Sequence, residues 1–297
     1  MRHLVRRLSF AITGCIALAA CGSTTASTTG QLGVQLTDAP FPFGQVSRAD
    51  IFVVRIDAKV ADVDSLEASD ETRMSGWTTI ATPNKSINLL SLTGGTTTNL
   101  GASALATGTY LGFRMIIDAS QSSITLADGT KPTIKWPSAA HTGIKINLDH
   151  PISVTKDSSA MVLDFDLGRS FVMRGNSISQ NGLLFKPVIR AVATELTGSA
   201  SGSVHADTPT GAAMAGVTVE VLKAGSVITD TVSADVVRST QTDASGNYKV
   251  AFLLPGTYVV RATPLASTLY LPALLTGGLT VTSAVDASGK VIVVPHQ

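Results

Sequence analysis

Met161-Val-Leu-Asp-Phe-Asp-Leu167 repeats with a period of two. Met161, Leu163, Phe165 and Leu167 fall on one face of an extended strand; Val162, Asp164 and Asp166 fall on the other. The first face belongs in a core. The second sets two carboxylates side by side. The same period runs outward in both directions. Leu32, Val34 and Leu36 alternate with Gly33 and Gln35. Ile51 to Ile56 is almost wholly apolar and β-branched, as a strand buried on both faces reads. Tyr110 to Ile117 continues the pattern. Ser123 to Ile134 reads as a hairpin around Asp128-Gly129, and Leu184 to Val192 as a further strand. Turn signals recur about every ten residues and helix signatures are weak, so the expected class is all-β, built as sandwiches.

Thr197-Gly-Ser-Ala-Ser-Gly-Ser203 is a seam of small residues, read as a domain boundary. Strand signals resume at Val217–Leu222, Tyr248–Phe252, Tyr258–Ala262, Leu279–Val281 and Val291–Val294. Asp243-Ala-Ser-Gly246 and Asp286-Ala-Ser-Gly289 read as two hairpin turns, each with a glycine suited to positive φ. One echo links the halves. Gly108-Thr-Tyr110 and Gly256-Thr-Tyr258 are each followed by an arginine, Arg114 and Arg261. A glycine turn feeding a tyrosine that folds back on its corner is a sandwich device.

The N-terminus has Arg2, Arg6 and Arg7, then an apolar run from Leu8 to Ala20, too short to span a bilayer as a helix. It ends in Leu18-Ala-Ala-Cys21 and resembles the lipobox of bacterial lipoproteins. That resemblance implies cleavage before Cys21, lipidation of its sulfur, and a cell-envelope protein of the outer-membrane lipoprotein type. Gly22 to Gly30 reads as a disordered polar tether. The expected layout is two tandem β-sandwich domains after a signal peptide and tether: 1–20 signal, 21–30 tether, 31–196 first sandwich, 197–297 second.

The whole chain has 22 Lys+Arg against 21 Asp+Glu. Without the three signal arginines, 19 basic residues remain, a formal charge of −2. With no basic cluster evident, nucleic acid is not an expected partner. Cys15 leaves with the signal and Cys21 is acylated, so the mature chain has no disulfide to form.

Two further resemblances cover most of the chain. Gly202-Ser-Val204, Ala215-Gly-Val-Thr-Val219, Thr242-Asp-Ala-Ser-Gly-Asn-Tyr248 and Leu254-Pro-Gly-Thr-Tyr258 resemble the carboxypeptidase regulatory-like domain, a transthyretin-like sandwich. In that family these are fold residues, and this chain departs from it in an insert around Val227 to Ser239. Leu36-Thr-Asp-Ala-Pro40, Asn88-Leu-Leu90, Leu163-Asp-Phe-Asp166 and Lys186-Pro187 resemble an uncharacterised domain of bacterial lipoproteins, which implies an envelope setting and no activity.

No GxSxG, HExxH, P-loop or CxxC pattern occurs. The histidines beyond the signal, His141, His150, His205 and His296, lack ligand spacing. No cofactor and no catalytic set are expected. Asp164 and Asp166, joined by Asp38, form the best polar group and the low-ranking candidate for a metal such as calcium. The competing expectation is ion pairing with Arg169, Arg190 or Arg114. Trp136 and Tyr270 are the weak candidates for a ligand platform. These readings converge on a non-catalytic, lipid-anchored binding or adhesion module for an envelope protein or polysaccharide. A structural accessory without a small ligand is the alternative, and a calcium- or carbohydrate-binding module the third.

Overall fold

The computed structural model describes residues 29–39, 45–60, 76–137, 142–148, 150–229, 235–265 and 269–297. The expected signal, Cys21, most of the expected tether, Pro40 and His141 lie outside them. No helix among the described residues is long and apolar enough to cross a membrane.

Thirteen described strands precede Thr197: β1 (Thr29–Ala39), β2 (Val46–Val60), β3 (Trp77–Ala81), β4 (Lys85–Asn88), β5 (Thr98–Ala106), β6 (Gly108–Leu126), β7 (Ile134–Lys135), β8 (Ile144–Leu148), β9 (Ile152–Val154), β10 (Ser159–Asp166), β11 (Phe171–Met173), β12 (Leu183–Phe185) and β13 (Ile189–Ala193). Eight follow: β14 (Gly198–Ala206), β15 (Thr218–Lys223), β16 (Val236–Gln241), β17 (Asn247–Leu253), β18 (Gly256–Thr263), β19 (Ala273–Leu274), β20 (Leu279–Val281) and β21 (Asp286–Val294).

The first set forms one ten-stranded sheet in the order β3-β2-β6-β8-β13-β10-β1-β5, with β4 and β9 attached to β2 and β6. It folds over so that both layers face one core, from Leu32 to Ala193. The outermost strands meet: a Cβ on Gly101 of β5 would stand 3.3 Å from the Cβ of Ala81 of β3. A small sheet, β11-β12-β7, adds Phe171 and Phe185 to this core. The second set makes two sheets, β17-β14-β21 and β16-β15-β18-β19 with β20, around a separate core from Ala200 to Val294.

Both tyrosine corners form. Tyr110 donates its hydroxyl to the carbonyl of Ala106 at 3.0 Å, and Tyr258 to that of Leu254 at 2.8 Å. Each following arginine pairs with the acid directly opposite on the neighbouring strand, Arg114 with Asp57 and Arg261 with Glu220.

Several local expectations shift. Thr29 and Gly30 already pair with Ala106 and Leu105, so β1 begins within the expected tether. Asp128-Gly129 makes a turn, with Leu126 N–H donating to the Thr130 carbonyl. The returning chain does not pair back on β6, however; β7 runs parallel to β12. Pro132, lacking an N–H, interrupts the ladder there. Pro187 likewise splits Leu184–Val192 into β12 and β13. Asp243-Ala-Ser-Gly246 is a true turn, its carboxylate accepting from Ser245 and Asn247 N–H. Asp286-Ala-Ser-Gly289 instead lies inside β21, where the register with β14 slips and Gly289 takes φ 69°. The signal reported positive φ correctly and its cause, a bulge rather than a hairpin, differently.

The largest departure concerns β10. Met161, Leu163 and Phe165 enter the core as read, but Val162, Asp164 and Asp166 on the other face are buried too. The strand is covered twice because β16, from the second set, lies against its outer face.

Candidate functional site

The outer face of β10 is where the sequence placed its most chemical residues, and there the two halves of the chain meet. Register sets Asp164 between Thr37 of β1 and Arg190 of β13. Its carboxylate forms an ion pair with Arg238 of β16, and both side chains are only 6% exposed. Arg238 also donates from Nη2 to the carbonyl of Phe252 at 3.3 Å. Phe252 has φ 59°, a conformation uncommon for a bulky residue, at the point where β17 slips against β14. Two arginines of the first half reach the backbone of β16: Arg190 Nη1 to the Val237 carbonyl at 2.8 Å, and Arg169 Nη1 to that of Val236 at 3.4 Å. Buried charge is costly unless paired and hydrogen-bonded. Here the pairing itself joins the halves.

The other two carboxylates serve a single helical turn, Leu167–Ser170. Asp166 caps it, accepting from Arg169 N–H at 2.9 Å, and pairs with Arg169 Nε. Asp38 accepts from Leu167 N–H at 3.0 Å. Of the expected basic partners, Arg169 therefore pairs with Asp166, whereas Arg114 pairs with Asp57 on distant strands. Among the described residues no three His, Cys, Asp or Glu side chains gather to hold a metal.

A second contact seals the seam. Thr37 Oγ1 lies within hydrogen-bonding distance of the carbonyls of Leu92 and Thr96, 3.0 and 2.9 Å away, tying the intervening loop to β1. Gly95 in that loop has φ 86°, and a Cβ there would lie 2.8 Å from the Cβ of Ala251 on β17. Only glycine permits this approach. Around the ion pair the seam leaves only a narrow crevice, flanked by shallow open hollows lined in good part by Thr, Ser, Gly and Lys249.

The aromatic candidates are packed. Trp136 stands edge-on to Phe171, with ring centroids 6.1 Å apart, and lies 4.8 Å from Phe185. Tyr270 lies tilted against His296, ring centroids 4.2 Å apart, and His296 Nδ1 meets Asp207 at 3.0 Å. That contact holds the Asp207 carboxyl below its usual range. His205 is bracketed by Ser203 Oγ and the Gly211 carbonyl. His150 is exposed.

The uncovered half of the same outer face carries residues the sequence reading passed over. Thr79, Asp57, Arg114 and Lys145 stand in one row across β3, β2, β6 and β8; Trp77, Lys59 and Gly112 stand in the next. Arg238 could have been suspected only from its place in the insert. The open row had a clearer signal: Arg55-Ile-Asp57-Ala-Lys59 alternates charged and apolar residues, which puts three charges on one strand face.

Residues 29–187 match a family described as a domain of unknown function (DUF4382), and residues 199–272 match the carboxypeptidase regulatory-like domain. No curated protein matches the chain. Among solved structures, the minor pilin GBS52 of Streptococcus agalactiae aligns at 12% identity over 90% of this chain and 96% of its own, with a TM-score of 0.26. The shaft pilin SpaA of Lactobacillus rhamnosus GG aligns at 10% identity over 91% and 98%, with the same TM-score. A cohesin–X-dockerin complex from Acetivibrio cellulolyticus aligns at 24% identity over 33% of this chain and 56% of its own, with a TM-score of 0.23. The first match spans more than half of the sequence, and the chain belongs to the DUF4382 family, with a carboxypeptidase regulatory-like domain following it.

Proposed function

We propose that this is a lipid-anchored, non-catalytic envelope protein whose second domain is fixed across half of the first domain's outer sheet face. The pair then works as one binding or adhesion unit toward an envelope protein or polysaccharide. One observation carries the reading: the acidic residues best placed for chemistry are engaged in the fold. Asp164 is locked to Arg238, and Asp38 and Asp166 cap one helical turn. A general acid or base must exchange its proton with a substrate in a cleft, whereas Asp164 joins the two domains and Asp38 and Asp166 hold a turn of the first. The lipobox-like Leu18-Ala-Ala-Cys21 supports the anchor.

The test is made in the native envelope. Mass spectrometry of the mature N-terminus is expected to find acylated Cys21, and Cys21→Ser to leave the membrane fraction or accumulate as precursor. An unmodified Cys21, or a different start, contradicts the anchor. Photocrosslinking from the exposed Lys145 position in the same cells is expected to trap an envelope component, and adducts confined to the chain itself contradict the binding part.

A further inference from the structure

We infer that the uncovered half of the outer sheet face, on β3, β2, β6 and β8, binds an acidic polysaccharide. The inference rests on the binding reading above and assigns it a surface and a ligand chemistry.

Four cations from three strands share this face: Arg55 and Lys59 of β2, Arg114 of β6 and Lys145 of β8. The carboxylate among them, Asp57, is 2% exposed. It accepts from Arg55 Nε at 3.1 Å, Arg114 Nε at 2.9 Å and Thr79 Oγ1 at 2.9 Å. One negative charge thus stands beneath two guanidinium groups, and Lys59 and Lys145 have no ion-pair partner among the described residues. Among the described residues the part of the face around Arg114 keeps a surplus of positive charge, although the chain as a whole is nearly neutral.

The geometry is fixed in advance. The Arg114 guanidinium lies over the Trp77 ring, 4.6 Å from its centroid. Two glycines make room for this stack. A Cβ on Gly143 would stand 2.7 Å from Arg114 Cδ, and one on Gly112 would stand 3.4 Å from the Trp77 ring. An arginine held by Nε and by its flat face loses little freedom when its terminal nitrogens take up a carboxylate.

The spacing favours a linear polymer of carboxylated sugars. Neighbouring strands lie about 4.8 Å apart, close to the advance of one sugar residue along an extended polysaccharide. Arg114 and Lys145 stand opposite each other on adjacent strands, so successive uronate groups can meet successive cations. Exposed Thr79 and Asn147 provide neutral hydrogen bonding for hydroxyls. A nucleic acid would call for more cations, since its affinity grows with the number of phosphates neutralised. The β2–β3 connection carries Asp62, Asp64, Glu67, Asp70 and Glu71, outside the described residues, and an anionic bilayer is the contrary outcome tested below.

The test uses the full-length protein in detergent, with that connection kept in every variant. Affinity electrophoresis through polygalacturonate should retard the protein, less so as salt rises, and neutral dextran should not. Lys59→Gln with Lys145→Gln should weaken binding about tenfold at an unchanged melting temperature, because neither side chain has an ion-pair partner among the described residues. Retardation that the double variant retains overturns the assignment. So does equal retardation in dextran, or binding to phosphatidylglycerol vesicles without binding to polygalacturonate. Failure to bind any of the three probes ends this inference, while the binding reading keeps its own test in the crosslinking above.

Discussion

The outer face of the first domain's sheet has two halves with opposite fates. On β10 and β13 the second domain covers it, and the charge of Asp164 is met by a residue from the other domain. On β2 and β6 it stays open, and the charge of Asp57 is met by Arg55 and Arg114 from the same sheet. The same ingredient, a carboxylate on an outward strand position, therefore joins domains in one half and organises a surface in the other. What differs is the neighbour. Burial makes the first pair a structural commitment, because removing one partner strands a charge away from water. Asp57 is as deeply buried as Asp164, but its partners Arg55 and Arg114 reach solvent, 42% and 20% exposed, and the spare cations beside them remain available.

This contrast can be broken most forcefully at the junction. Arg238→Met is expected to cost ~3–5 kcal/mol in unfolding free energy, because Asp164 would stay buried without its counter-charge. Denaturant melts of the whole chain check it. Gly95→Ala comes next. Its Cβ would press on that of Ala251 at 2.8 Å, in a backbone conformation that disfavours any side chain. A loss of ~1–3 kcal/mol is expected, whereas Gly112→Ala on the open half should cost less, because its Cβ would stand 3.3 Å from Lys59 Cβ and 3.4 Å from the Trp77 ring without the positive φ of Gly95. Melting temperatures of the two variants decide the order.

The tyrosine corners sharpen the comparison from a common baseline. Tyr110→Phe and Tyr258→Phe each remove one hydroxyl-to-carbonyl hydrogen bond of the same i to i−4 form. Each should cost ~1 kcal/mol, and clearly unequal losses would mean the two domains do not share the device. The smallest effect is expected at Asp118 of β6. Hydrogen bonds from Ser120 and Gln121 lower its folded-state pKa to about 2. A depressed carboxylate adds stability above its unfolded value of about 3.8, and that increment is lost as pH falls through about 2. Asp118→Asn should therefore flatten the pH dependence of melting in that window and leave it unchanged near neutrality.

Strand faces and corners were legible because they are local. The period of two in Met161–Leu167 placed Leu163 and Phe165 in the core, and Gly-Thr-Tyr announced both corners. The destiny of Asp164 was not legible. Its partner lies 74 residues away by sequence number, in an insert that departs from the family pattern, and no periodicity reports which surface a second domain will cover. The open cationic face was half legible. Arg55-Ile-Asp-Ala-Lys59 carried its own alternation, but the contributions of Arg114 and Lys145 depend on a register between strands far apart in the chain. The Asp-Ala-Ser-Gly pair shows the limit of a motif. Two identical tetrapeptides demand the same positive φ and obtain it from a turn in one place and a bulge in the other.

The most direct test of the clamp is a double-mutant cycle on Asp164→Asn and Arg238→Gln, read as unfolding free energies of the whole chain. If the two side chains hold the domains together as a buried pair, the double variant will lose clearly less than the sum of the two single losses, with a coupling of at least ~1 kcal/mol. Strict additivity would show that Asp164 and Arg238 act independently, and that the domains are not joined through this pair.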